Sequence, residues 1–369
     1  MEPKCQYFGN CGGCALQKIS YPEQVEGKRL AVSKAIDFPD VKAFFSEPYN
    51  YRNRMDMLFF SGGLGLRRKN DWSAVVDIEQ CPIASLEVNQ LISEIRSFFR
   101  DIDAFDLKRH TGTYRYTVIR ATSSTSSVSF VLSDSSSRLK EAVEKIKEFA
   151  SATTAKNVLI TYSPPETDES ISADFFVVKG NENLKENLLG CSFQFSAQGF
   201  FQNNTAMAAK MQEYCNGLIR SYDTKHAHLL DLYGGVGSFG IVNSPLFKTV
   251  TIVEGDKHCI DSAQLNISEN KVKNARAVLM DAAQLKKLEL GSPLFVVTDP
   301  PRSGMNPKTI EELKQLSPEV IIYISCNVEQ LGKDVKKFRK YKIKSAAMFD
   351  LFPQTRHSEA IVELVKVQQ

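Results

Sequence analysis

Two short strings near the C-terminus hold residue types suited to covalent catalysis. In Ser325-Cys326-Asn327 the thiol becomes a nucleophile once ionised, and in His357-Ser358-Glu359 the carboxylate can act as a base. Upstream, Asp231-Leu-Tyr-Gly-Gly-Val-Gly-Ser-Phe-Gly240 reads as a strand running into a Gly-rich turn. Glycines there let the backbone approach a nucleotide-like ligand. A thiol, a carboxylate and a cofactor cradle in one half of the chain point to an enzyme.

The acids around the turn narrow the ligand. Glu254 closes the next apolar segment, where a carboxylate takes ribose hydroxyls. Gly235, Gly237 and Gly240 do not by themselves exclude a dinucleotide. Asp281 follows the third apolar segment, however, and Asp299-Pro-Pro-Arg302 ends the fourth. Acids at successive strand ends suit adenine, ribose and a charged amino-acid tail, which together make S-adenosylmethionine. Any one of these acids alone reads as readily as a helix cap, so the argument rests on the series. Given a methyl donor, the thiol has a use. Carbon 5 of uracil is a poor nucleophile until a thiolate adds to carbon 6. After methyl transfer a base such as Glu359 must remove the proton from carbon 5. His357 reads as a structural side chain orienting the loop that enters the last strand.

These residues need a scaffold. His228–Leu232, Val250–Val253, Leu294–Val297 and Ile321–Ile324 are near-continuous apolar runs, as in strands buried on both faces of a parallel sheet. Residues 186–369 are therefore expected to form a Rossmann-like doubly wound α/β catalytic domain, with Cys326 at the carboxyl edge where such sheets bind ligands. Ile241–Phe247 leaves little room for the usual first helix. Residues 21–185 read as an α+β domain. Tyr51–Leu66 is expected to be a pair of strands turning at Ser61-Gly62-Gly63, Ser85–Arg100 a helix, and Tyr116–Ile119 with Val128–Leu132 a hairpin around the polar Ser123–Ser127.

Of 369 residues, 43% are hydrophobic and 24% charged, ordinary globular composition for a multidomain chain. The opening Met-Glu-Pro-Lys-Cys-Gln lacks an apolar leader, and no apolar run approaches the ~18 residues of a membrane span. A cytoplasmic protein without a membrane partner is expected. The net charge is only +3, but Arg52, Arg54, Arg67, Arg68 and Lys69 face a single acid, Asp56, and the Lys333–Lys344 run is just as one-sided around Asp334. Such runs suit RNA phosphates or, alternatively, a solvated face. Residues 1–20 are too short to bury a core and contain Cys5, Cys11 and Cys14, with Cys81 further on. Four thiolates would staple this arm around zinc or an iron–sulfur cluster equally well.

Phe200-Phe-Gln202-Asn-Asn204, the Asp231 turn, Val-Glu254-Gly, Asp299-Pro-Pro-Arg302, Ser325-Cys326-Asn327 and Phe352-Pro-Gln-Thr355-Arg-His357-Ser-Glu359 together resemble the RNA uracil-5-methyltransferase family over nearly the whole chain. The resemblance implies that Gln202, Tyr233, Ser238, Glu254, Asp281 and Asp299 contact S-adenosylmethionine, that Cys326 attacks the ring and that Glu359 is the base. Ser238 stands where some members have Asn. Cys5, Cys11, Cys14 and Cys81 look like the family's [4Fe–4S] ligands, with a structural or RNA-folding role. Many members begin with a small RNA-binding barrel called TRAM, whereas this sequence starts at the cluster motif, closest to archaeal members. RNA grip then falls to the central domain, with Arg52 and Arg54 as candidate phosphate contacts; a strand-edge salt bridge is the competing reading.

The RNA partner implied is tRNA, at the T-loop, or large-subunit rRNA; no obligate protein partner is expected. Two rivals remain. RNA cytosine-5 methyltransferases also use a thiol but carry it in the fourth-strand motif, which here is Pro301-Arg302. A non-catalytic iron–sulfur RNA-binding protein would leave Cys326 and Glu359 unexplained.

Overall fold

The structure is a computed structural model and describes residues 1–367. The chain forms two compact units. The first comprises Met1–Tyr21, Glu47–Glu186 and Ser196–Asn204, and the second Pro22–Ser46, Asn187–Phe195 and the chain from Thr205 onward. These limits depart from boundaries at 20 and 185 for physical reasons. Helix α1 (Tyr21–Ile36) and strand β1 (Val41–Phe44) join the catalytic half because β1 pairs in parallel with a late strand, Val41 opposite Ala346 through Phe44 opposite Phe349. Residues 196–204, with Gln202, join the first unit because Asn53 donates to the carbonyls of Gln202 and Asn203.

In the first unit the strands are β2 (Arg54–Phe60), β3 (Gly63–Arg68), β4 (Asp71–Asp77), β5 (Tyr114–Ala121), β6 (Ser126–Ser133), β7 (Asn157–Ser163) and β8 (Phe175–Lys179). Their order is β4-β3-β2-β5-β6-β7-β8, antiparallel except for β6–β7. That parallel pair needs a crossover, supplied by α3 (Leu139–Ala152). Helix α2 (Leu86–Phe98) starts where Ser85 Oγ accepts from Val88 N. Its buried Val88, Leu91, Ile92 and Ile95 share one core with Ile146 and Phe149 of α3 and with Met57, Phe59, Ile119 and Phe130 of the sheet. The expected β2–β3 turn, β5–β6 hairpin and α2 are all present.

A hairpin of β9 (Asn183–Leu188) and β10 (Cys191–Ser196) follows, and then α4 (Thr205–Arg220) of the second unit. The second sheet adds β11 (His228–Leu232), β12 (Thr249–Glu254), β13 (Ala275–Leu279), β14 (Leu294–Thr298), β15 (Val320–Ser325), β16 (Tyr341–Phe349) and β17 (Glu359–Lys366). Its order is β1-β16-β17-β15-β14-β11-β12-β13. Only β17 runs against its neighbours. Every residue of β11, β14 and β15 is buried, in keeping with their near-continuous apolar sequences. The connections are α5 (Ser238–Asn243), α6 (Lys257–Glu269), α7 (Pro307–Leu316) and α8 (Val328–Val335). Helix α5 has six residues, as the short segment after the Gly turn foretold. Strand order reverses at β11, between β12 and β14, and so makes a crevice at the carboxyl edge.

Candidate active site

The antiparallel β17 explains how two strings far apart in sequence meet. Ser325, the last residue of β15, is paired with Ala360. Cys326 follows Ser325 directly and Glu359 precedes Ala360 directly, so both lie at this end of the β15–β17 pair, and Glu359 is near enough to act on the Cys326 thiol. The flanking residues fix the thiol: Ser325 Oγ accepts from Asn327 N at 3.1 Å, and Asn327 caps α8 by accepting from Gln330 N at 3.2 Å. Asn327 Nδ2 also donates to the Arg302 carbonyl at 2.8 Å, which ties the Asp299-Pro-Pro-Arg302 loop to the nucleophile.

Cys326, Glu359, Asp299 and Arg302 also act on one another electrostatically. Burial pushes the Cys326 thiol up to about 11, Glu359 and Asp299 add like-charge repulsion, and Arg302 pulls the other way. Glu359 is buried and raised well above the usual carboxylate range, first by burial and then by Asp299, with Arg302 again opposing. Burial also lifts Asp299 to about 7. Arg302 is thus the group that favours the charged forms of Cys326 and Glu359. Its Nη2 lies 3.3 Å from His357 Nδ1, and the backbone N–H of His357 donates to Thr355 Oγ1 at 3.2 Å.

At the Gly turn, Asp231 Oδ2 accepts from Gly240 N at 2.7 Å, and a Cβ on Gly240 would lie 2.7 Å from Ile252 Cγ1. Gly235 has φ +54°, with open space where a side chain would stand. Glu254 accepts from the N–H groups of Gly235, Gly255 and Asp256 at 3.1, 2.7 and 3.0 Å. A carboxylate has about four lone-pair sites, so a ligand hydroxyl can still be accepted. Tyr233 adopts φ 60°, and burial raises its phenol. Ser238 Oγ accepts from Gln212 Nε2 at 3.2 Å. Asp281 caps the 3-10 turn Ala282–Lys287 by accepting from Ala283 N at 2.8 Å. Gln202 belongs to the first unit.

Sequence reasoning missed Asp334. Its buried carboxylate accepts from Tyr323 Oη at 2.8 Å, Met305 N at 3.1 Å, Gln330 Nε2 at 3.0 Å and Lys337 Nζ at 2.8 Å, joining β15, α8 and the loop after Arg302. The only sequence signal was a lone acid inside a basic run.

In the first unit, burial raises the thiols of Cys11, Cys14 and Cys81, Cys14 to about 12, and all three are raised further by neighbouring thiols, Cys5 among them. The four cysteines are therefore neighbours. Among the described residues, however, no group of three or more His, Cys, Asp or Glu side chains is set to hold a metal ion. The arm is instead pinned by backbone bonds, Gly12 N to Arg67 O at 3.0 Å and Lys69 N to Asn10 O at 2.7 Å. Arg54 takes the salt-bridge alternative, with Nε and Nη2 donating to Asp56 Oδ1 and Oδ2 at 2.7 and 2.8 Å. Arg52 Nε donates to the Arg54 carbonyl at 2.8 Å. No helix among the described residues is long and apolar enough to cross a membrane.

Residues 20–367 match the family model described as tRNA (Uracil-5-)-methyltransferase. The chain belongs to this family. As a member it is an RNA (uracil-C5)-methyltransferase, a one-carbon transfer enzyme. It is 31% identical to an uncharacterized RNA methyltransferase of Caldanaerobacter subterraneus, covering 99% of this chain and 85% of that one. It is 30% identical to the tRNA (uracil(54)-C(5))-methyltransferase of Pyrococcus horikoshii, covering 98% and 85%. The crystal structure of the Pyrococcus abyssi tRNA (uracil-54, C5)-methyltransferase in complex with S-adenosyl-L-homocysteine superposes with a TM-score of 0.81 at 26% identity, covering 96% of this chain and 86% of that one.

Proposed function

We propose that this enzyme methylates carbon 5 of one uridine in the T-loop of tRNA through a covalent adduct between Cys326 and the uracil ring. The observation that supports the mechanism is the β15–β17 register, in which Ser325 and Ala360, the immediate neighbours of Cys326 and Glu359, are paired. The relatives named as tRNA (uracil(54)-C(5))-methyltransferases favour tRNA over rRNA.

The Cys326 thiolate adds to carbon 6, and the ring π electrons move onto carbon 5 and the carbonyl oxygen at carbon 4. When bound, S-adenosylmethionine would supply an electrophilic methyl group, its S–CH3 bond breaking as C5–CH3 forms and S-adenosylhomocysteine leaving. Glu254 and the open Gly235 turn suit its ribose, and Tyr233, Ser238, Asp281, Asp299 and Gln202 are its further proposed contacts. With carbon 5 methylated, Glu359 takes the remaining proton from that carbon, the C5–C6 double bond re-forms and the thiolate leaves. Arg302, which opposes the upward shifts of both groups, eases ionisation of the thiol and of the base. Adduct formation turns the thiolate into a neutral thioether, which relieves Glu359 of a like charge when it must act as a base.

We further propose that Cys5, Cys11, Cys14 and Cys81 bind a [4Fe–4S] cluster, with zinc as the competing occupant. Support comes from their mutual proximity and from the repulsion among their ionised forms, which a bound cation would offset. The first unit would be the RNA-binding part, with Arg52 contributing.

The test is to incubate anaerobically purified protein and isotope-labelled S-adenosylmethionine with separate tRNA and rRNA pools, then analyse nucleosides by mass spectrometry. Labelled 5-methyluridine in tRNA supports the reading. Label only in rRNA overturns the tRNA assignment, and label in 5-methylcytidine overturns the reaction. Cys326→Ala should abolish turnover while the cofactor still binds.

A further inference from the structure

Trp72 is the only tryptophan in the chain, and it stands 64% exposed near the tip of the β3–β4 hairpin. Tryptophan has a large apolar surface that folding normally hides, so its position calls for a partner. The hairpin is not loose. The Arg67 guanidinium bonds Tyr116 Oη at 2.6 Å, Asp168 at 2.7 Å and the carbonyl of Trp72 itself. The other strand end is fixed to the N-terminal arm by Lys69 N donating to Asn10 O at 2.7 Å. The backbone of Trp72 is thus held from inside the unit while its ring stands in solvent.

The turn beside Trp72 carries two exposed cations, Arg68 and Lys69, and one acid, Asp71, which stands across from Arg68. Among the described residues neither cation has an ion-pair partner. Lys108, from the loop before β5, lies close enough to lower the Asp71 carboxyl, an effect smaller than that of the Ser73 hydrogen bonds. Asp71 is the acid nearest the ring in sequence, and its Oδ1 is engaged by Ser73 N and Ser73 Oγ at 3.1 and 2.9 Å. A protein partner would be met by an apolar rim around such a ring. Here the neighbours in sequence are Arg68, Lys69, Asn70, Asp71 and Ser73, and Lys108 lies near Asp71. An exposed aromatic ring on a hairpin whose turn also carries free cations is the chemistry that stacks on a nucleobase while neutralising phosphates nearby.

We infer that the β3–β4 hairpin is an RNA-docking surface, with Trp72 stacking on an unpaired base of the substrate RNA and Arg68, Lys69 and Lys108 contacting the flanking phosphates. This rests on the RNA-methyltransferase reading and adds a recognition point within the first unit.

Because Trp72 is the sole tryptophan, intrinsic fluorescence reports on this ring alone. The full-length protein would be titrated with unmodified tRNA transcript, with free N-acetyltryptophanamide correcting for absorption by the RNA. Expected is saturable quenching, and for Trp72→Ala a Kd weakened by about 5- to 150-fold, the worth of one stacked base. The rate at saturating RNA should be unchanged, and Trp72→Phe should restore most of the affinity. The double variant Arg68→Ala/Lys69→Ala should reduce the slope of log K against log salt by about 1.4 to 1.8. If tRNA binds by mobility shift and is methylated, yet fluorescence is unchanged and Trp72→Ala binds normally, the docking surface is refuted while the enzymatic reading stands. If tRNA neither binds nor is methylated, both fail. If Trp72→Ala instead alters only the sedimentation of the free protein, the ring serves contacts between copies of the chain, which also overturns the inference.

Discussion

Lys28 Nζ lies 2.5 Å from Asp350 Oδ1, with both side chains buried. The same ammonium donates to the Phe352 carbonyl at 3.1 Å. One turn earlier on α1, Gln24 donates to Gln354 Oε1 and accepts from Gln354 N, at 3.0 and 3.1 Å. Helix α1 therefore grips the loop that delivers Glu359. Burial pulls the Lys28 ammonium down while Asp350 holds it up, so the two charges depend on each other. Removing one partner strands the other. Lys28→Met should cost about 3–5 kcal/mol of stability and lower kcat more than it raises KM for RNA. Lys28→Met/Asp350→Leu should recover much of the stability in urea unfolding. Equal stability of Lys28→Met and the parent would show that the pair contributes nothing.

Helix α1 also limits what α8 can carry. A Cβ on Gly332 would stand 2.3 Å from the Ala35 carbonyl oxygen, a backbone atom that cannot swing aside. Gly332→Ala gains about 1 kcal/mol of helix propensity, yet the overlap is far inside contact distance and should dominate. We expect net destabilisation of about 1–3 kcal/mol and slower turnover, because α8 begins immediately after Cys326. A thermal melt above that of the parent would refute this close approach.

Legibility in the sequence followed the physics of each signal. Strands buried on both faces announce themselves as apolar runs, so β11, β12, β14 and β15 and their functional ends were readable. Edge strands carry weaker patterns: β16 alternates Tyr-Lys-Ile-Lys-Ser before four buried residues, and it was submerged in a basic run. Nothing local in α1 marks it as part of the catalytic unit, since its role lies in contacts with residues more than three hundred positions away. The chemistry expected of Cys326 and Glu359 was legible, but the antiparallel β15–β17 register beside them was not. Asp281 and Arg54 also carry plain structural roles, a cap and a salt bridge, that their types alone would suggest.

Asp231 gives a pH test of the Gly turn. Burial raises its carboxyl to about 7 from an ordinary 3.8. The folded state therefore holds this proton more tightly than the unfolded chain does. That stabilisation is complete below about pH 4 and is lost as pH rises to about 7, in total at most ~4 kcal/mol. Asn at 231 can still accept from Gly240 N. Asp231→Asn should therefore melt higher than the parent at pH 8, with the gap closing near pH 4. A constant gap across that range would mean that Asp231 titrates normally.

The thiol and its base can be separated by alkylation. With its thiol pushed up to about 11, Cys326 is a thiolate in only about one molecule in a thousand at pH 8, so labelling should quicken roughly tenfold per pH unit towards 11. The rate is followed on the Cys326 peptide by mass spectrometry with neutral iodoacetamide. Glu359 and Asp299 raise the thiol and Arg302 lowers it. Glu359→Gln should therefore accelerate labelling between pH 8 and 11, and Arg302→Met should slow it. Methylation should respond differently, because Glu359→Gln leaves the methylated adduct without a base and turnover should collapse even though the thiol is more reactive. Slower labelling in Glu359→Gln would reverse the assignment, since Glu359 would then be drawing the proton from the thiol rather than repelling its charge.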